Sequence, residues 1–256
     1  MKILFSLPNF FNYFEINNKF TILLRSNTDF LKNPNIKFTS FHGNFSYNYW
    51  NGDINLNYGK GSFYKDFIKC GDCSYLPLRF NMSNVLLQKE DFYNVMNNLI
   101  LTYNNNGSNE IELCNLELMD YIKEKHPLYT HFIFSKNGDL INPMTPEIIN
   151  KLILTEAFDL ISLPERYNYD FEELQKISNK GKIELTVNPI CNPFCPYFSL
   201  CLGEENNNQY NFSSKSAFSH CAKRKPYLQA SAISLAEIEE KYLPLGINHF
   251  KISSMT

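Results

Sequence analysis

Lys182-Ile183-Glu184-Leu185-Thr186-Val187 runs directly into Asn188-Pro189-Ile190-Cys191-Asn192-Pro193-Phe194-Cys195-Pro196. The first six residues alternate polar and apolar with β-branched members, the pattern of a short strand. The residues after them cannot be helix, because Pro189, Pro193 and Pro196 remove amide donors and restrict their neighbours. A strand that opens into a stiff loop is the repeating unit of an α/β protein, and this one gathers Cys191, Cys195 and Cys201, with Cys221 beyond a polar insert.

Working outward, the same unit recurs. Strands are predicted at residues 2–7, 36–41, 76–81, 110–114, 130–134, 159–163, 182–187 and 249–252. Helices are predicted at 90–103, 116–125, 146–156, 170–179 and 235–242. The helix boundaries carry their own chemistry: Thr145 caps Pro146 at the first helical position, and Ser234 with Glu237 forms a capping box. The stretch 20–24 reads equally as strand or helix. Strand and helix alternate at the spacing of right-handed βαβ units, and eight strands predict a (β/α)8 TIM-barrel-like fold. No Gly-x-Gly-x-x-Gly follows the first strand to favour a dinucleotide-binding sheet, the alternative architecture. The whole of 1–256 is expected to be one domain with a cysteine-rich loop at 188–221. Little sequence follows the eighth strand, so the barrel is expected to lack its last helix and to invite a partner subunit or a second copy.

Composition excludes several function classes. A net charge of -2 gives no electrostatic case for nucleic acid or an anionic membrane surface. No apolar run is long enough to span a bilayer, and the run before Pro8 is too short for a secretory leader, so a cytoplasmic location is expected. In that compartment thiols stay reduced, and clustered cysteines point to metal rather than disulfides.

In a TIM barrel the chemistry sits at the C-terminal tips of the strands. Reading those tips gives a polar set of side chains. His42 is the acid/base candidate, since an imidazole there would exchange protons near pH 7. Glu165 and Arg166 are candidates for a base and an anion clamp, or else an ordinary helix-start carboxylate and a surface arginine. Asn44, Asn81, Asn84, Asn115 and Asn188 are the candidate substrate contacts, for a small molecule or a peptide. His126 and His131 read as structural. Cys70-Gly71-Asp72-Cys73 is a C-x-x-C pair with no assigned role, and Cys114 reads as core or as a thiol near the cluster.

The cysteine spacing, C-x3-C-x5-C and then a fourth thiol, suits an iron–sulfur cluster held by Cys191, Cys195, Cys201 and Cys221. Tetrahedral zinc would accept the same set, with His220 as a substitute ligand. Buried cysteines without a ligand are the plain alternative.

The run Ile183 to Asn188, Cys191, Cys195-Pro196, Ser219-His220-Cys221 and Leu245-Gly246-Ile247-Asn248-His249-Phe250-Lys251-Ile252 resembles the collagenase-like peptidase family, which includes accessory proteins of oxygen-independent ubiquinone hydroxylation. The resemblance implies a TIM-barrel-like fold and, in the hydroxylation branch, a four-cysteine [4Fe–4S] cluster with anaerobic redox or hydroxylation-type chemistry. Two positions depart from the family pattern: Tyr197 stands where a basic residue is usual, and Ser253-Ser254 where the family has Gly-Arg.

Overall fold

The computed structural model describes residues 1–8, 14–26, 31–43, 50, 76–95, 98, 101–102, 107–189 and 232–253. Eight parallel strands close into a barrel in sequence order. They are β1 (Ile3–Leu7), β2 (Ile36–Gly43), β3 (Leu78–Asn81), β4 (Glu110–Leu113), β5 (His131–Phe134), β6 (Leu160–Ser162), β7 (Ile183–Thr186) and β8 (His249–Lys251). β8 pairs with both β7 and β1, so no strand edge is left for another chain to extend. This is the TIM-barrel-like architecture expected from the alternation of elements.

Between the strands lie helices α1 (Phe14–Ser26), α2 (Leu116–Lys125), α3 (Pro146–Leu154) and α4 (Phe171–Gln175). The ambiguous stretch around Phe20 is therefore helix, inside α1. Asn115 caps α2 by accepting from the Leu118 amide at 3.1 Å. Leu118 and Ile122 then fall on one face and are fully buried, as 3.6-residue periodicity requires. The helix expected from Glu90 starts later: Lys89–Tyr93 is a 3-10 turn, Asn94 is extended at φ -60, ψ 118, and Val95, Asn98 and Leu101 are helical. Val95, which unbroken helical spacing from Phe92 would turn inward, is 78% exposed, because this break shifts the phase of the residues beyond it.

The last helical stretch, α5, covers 235–245 and has a π turn in its middle (Ile238–Tyr242), where the Leu243 amide reaches back to the Ile238 carbonyl. Pro244 lies just beyond and has no amide to continue the ordinary ladder. Gly246, at φ +93, stops the helix in the left-handed region that side chains avoid.

Alternation along the strands divides the core in two. Ile3, Phe5, Phe80, Ile111, Leu185 and Phe250 point outward and join the layer between sheet and helices. Their neighbours point into the barrel. Parallel barrels are ordinarily filled by branched apolar side chains. Here Leu4, Ile133 and Leu160 are the apolar exceptions to an otherwise polar interior.

Candidate active site at the barrel mouth

Arg79 on β3 is the centre of the interior. Its Nη1 donates to both carboxylate oxygens of Glu184 on β7, at 2.8 and 2.7 Å, and its Nε donates to Glu110 Oε2 at 2.8 Å. Register puts Arg79 opposite Glu110 on the neighbouring strand, whereas Glu184 lies across the barrel. Above them Lys251 on β8 reaches Glu112 on β4 at 2.7 Å, a second cross-barrel pair. Ser135, just past β5, also donates to Glu112, at 3.2 Å. Burial raises the Glu112 pKa, but Lys251 and Arg79 overcome it and hold the group at about 2. Burial works against the Arg79 charge, yet Glu184, Glu110 and Glu112 together raise its pKa above the ordinary value.

His42 belongs to this interior. β2 extends to Gly43, so His42 lies within the strand rather than after it, paired in register with Arg79. Its Nε2 lies 2.8 Å from the Ile252 carbonyl and must carry the proton, leaving Nδ1 as an acceptor. Burial, then the positive charges of Lys251 and Arg79, push its pKa well below the usual value. The expectation of proton exchange near pH 7 is corrected accordingly: at that pH His42 is a neutral hydrogen-bonding group, because its site disfavours the charged form.

The remaining candidates separate by local geometry. Asn81 Oδ1 accepts from the amide and hydroxyl of Ser83, at 3.0 and 2.6 Å, and Ser83 Oγ accepts from Asn137 at 3.0 Å, a buried chain above β3–β5. Asn84 holds the Leu86 amide, and its own amide donates to the Trp50 carbonyl. Asn115 is committed to capping α2. Cys114 is buried, its thiol pushed up to about 12 by desolvation and the nearby Glu112 charge. It is thus core rather than a reactive thiol. His131 sits at the opposite end of β5, against Asp159.

Glu165 and Arg166 do not act as a pair. They begin a 3-10 turn (Glu165–Tyr169), where successive side chains point in different directions. Glu165 is buried and pairs with Lys136. Arg166 turns outward to a forked contact with Asp139 and to the Met144 carbonyl at 3.1 Å. There it borders a cleft of 590 Å³ that also includes Thr145, Tyr167 and Lys176. This cleft lies among α3, the turn and α4, away from the interior pairs.

Asn188 donates to the Ser253 carbonyl at 3.1 Å and accepts from the Ser253 amide at 2.6 Å, locking the exit of β7 to the exit of β8. The Ile233 amide donates to the Val187 carbonyl at 2.7 Å. Residues 189 and 232 therefore leave from and return to the same corner of the barrel mouth. Cys191, Cys195, Cys201 and Cys221 lie outside the described residues, as do Asn44, Cys70, Cys73 and His220. Among the described residues, no group of three His, Cys, Asp or Glu side chains is arranged to hold a metal ion.

No sequence-family model and no curated protein matches the chain. A solved structure, that of the U32 peptidase Mk0906, is similar with a TM-score of 0.53, covering 100% of this chain and 94% of that one at 12% identity. The two chains share a barrel fold. At 12% identity the likeness to the U32 peptidase speaks for architecture alone. It agrees with the TIM-barrel expectation drawn from the collagenase-like resemblance. No described helix is long and apolar enough to cross a membrane.

Sequence reasoning missed Arg79, Glu112, Glu184, Lys251 and Lys136. For the first four the signal was present: charged residues at alternate positions of strands that were themselves predicted to close into a ring; Lys136 lies in the turn after β5.

Proposed function

We propose that this chain is an iron–sulfur TIM-barrel protein of anaerobic redox or hydroxylation-type chemistry on a small molecule or peptide. Cys191, Cys195, Cys201 and Cys221 would hold a [4Fe–4S] cluster. The observation that carries the reading is the pinning of Val187 to Ile233 and of Asn188 to Ser253, since it roots both ends of the cysteine-bearing stretch on the rim of the mouth. Thiolate-bound clusters supply single electrons at potentials set by charge, hydrogen bonding and exposure. The chain's own residues would do the rest. Lys251, tied to Glu112, offers further N–H donors to a substrate oxygen, and His42 offers an acceptor at Nδ1.

Anaerobic purification followed by iron and acid-labile sulfide analysis tests this. About four irons and about four sulfides per chain are expected, the stoichiometry of a cubane cluster. Both should be lost in Cys195→Ser. Iron-free, sulfide-free anaerobic protein would refute it.

The structural likeness to a U32 peptidase favours a second reading, a peptidase or other hydrolase in which zinc holds the same cysteines. One zinc per chain without sulfide, together with cleavage of a fluorogenic peptide that a chelator abolishes, would select it.

A further inference from the structure

The 3-10 turn after β6 carries two acceptors that nothing described satisfies. Three residues complete a turn of a 3-10 helix, so Glu165 and Asn168 stack on one face. Both are buried, at 4% and 0% exposure. Each is anchored through half of its polar head. Lys136 donates to Glu165 Oε1, and Asn168 Nδ2 donates to the Thr186 carbonyl at 2.7 Å. Only an amide nitrogen can donate to a carbonyl, so the free half of Asn168 is its oxygen.

Glu165 Oε2 and Asn168 Oδ1 have no hydrogen-bond partner among the described residues. The hydroxyls of Ser162, at the end of β6, and Thr186, at the end of β7, lack one as well. Ser162 pairs in register with Glu184, two positions before Thr186, so the four groups surround the tips of adjacent strands. A carboxylate oxygen and an amide oxygen can only accept, and the two hydroxyls are free to do so. Buried acceptors without a donor are unfavourable, so the cluster calls for N–H or O–H donors from a guest.

The charge around it indicates which guest. Glu165 is held by Lys136 through Oε1, so its Oε2 keeps a share of the carboxylate charge with no partner of its own. Water would satisfy the acceptors, but a cationic N–H makes the shorter and stronger bond to a carboxylate oxygen, so a monocation suits the cluster better.

We propose that the tips of β6 and β7 form a subsite for a primary ammonium group, carried by a small amine or by a peptide. Its three N–H donors go to Glu165 Oε2, Asn168 Oδ1 and the Thr186 hydroxyl. The subsite rests on described residues alone and stands whether or not the cysteines bind a cluster.

Calorimetric titration and thermal unfolding of the full chain test it with three probes. These are n-butylammonium, n-butyltrimethylammonium (same charge, no N–H) and n-butanol (no charge). Saturable binding and a rising Tm are expected with n-butylammonium only. Glu165→Gln is expected to weaken that binding about tenfold and Thr186→Val about threefold, as lost charged and neutral hydrogen bonds do. Circular dichroism and urea midpoints establish that the two variants compared are folded. The proposal is overturned by equal binding of the trimethylammonium probe or by undiminished affinity in both folded variants. It is equally overturned if n-butylammonium shows no saturable binding up to ~100 mM, beyond the millimolar range of weak complexes.

Discussion

Arg79 shows how much one side chain contributes when its surroundings are built around it. Its planar fork reaches Glu184 twice and Glu110 once, with Glu112 4.0 Å away. A lysine, as a point charge, cannot reproduce that fork. Arg79→Met leaves buried carboxylates unpaired and is expected to lower unfolding free energy by about 3–5 kcal/mol, measured by urea denaturation.

Protonation belongs to the same scale. The His42 pKa is depressed by folding, so its contribution is complete above the ordinary value of 6.5 and is lost as pH falls below it. His126 and His249 shift in the same direction, again through burial. Glu112 contributes fully above 4.5 and loses that contribution as pH falls toward about 2. Stability should therefore decline in two stages on acidification. His42→Gln should flatten part of the first stage and leave the second, as measured by urea midpoints across pH.

At the scale of elements, local sequence chemistry governs the helices. The Asn115 oxygen takes the Leu118 amide of α2, while Lys123 and Lys125 occupy its last turn, where they complement the helix dipole. Asn115→Ala is expected to cost about 1 kcal/mol through the lost cap. Substrate turnover per folded molecule should stay unchanged, which would separate a capping residue from a substrate contact. In α5 the π turn supports the rim: Tyr242, inside it, donates its hydroxyl to the Asn168 carbonyl, behind the turn that carries Glu165. π turns recur beside functional sites, where the extra residue re-aims a side chain.

At the scale of the whole molecule, barrel closure turns eight half-polar strands into a shared polar interior. The cross-barrel pairs Arg79–Glu184 and Lys251–Glu112 bridge opposite walls. Replacing one partner of a buried pair strands the other, whereas replacing both with apolar groups removes the unpaired charge. A double-mutant cycle of Glu112→Leu and Lys251→Met should therefore be non-additive. Each single change is expected to cost about 3–5 kcal/mol, and the double change less than their sum.

The order of the strands and the caps at Thr145 and Ser234 were legible in the amino-acid sequence, and through them the barrel, whereas Asn115, expected to meet substrate, proved to be a cap. These follow from local periodicity and from hydrogen bonds made within a few residues. The helix expected from Glu90 starts only at Val95, because the extended backbone of Asn94 breaks a pattern whose apolar spacing alone looked continuous. The interior was decided by tertiary structure. Ser6, His42, Arg79, Glu112, Glu184 and Lys251 alternate with apolar neighbours as the wet face of an open sheet would. Only closure of β8 onto β1 turns that face inward, where its charges must find partners on strands distant in sequence.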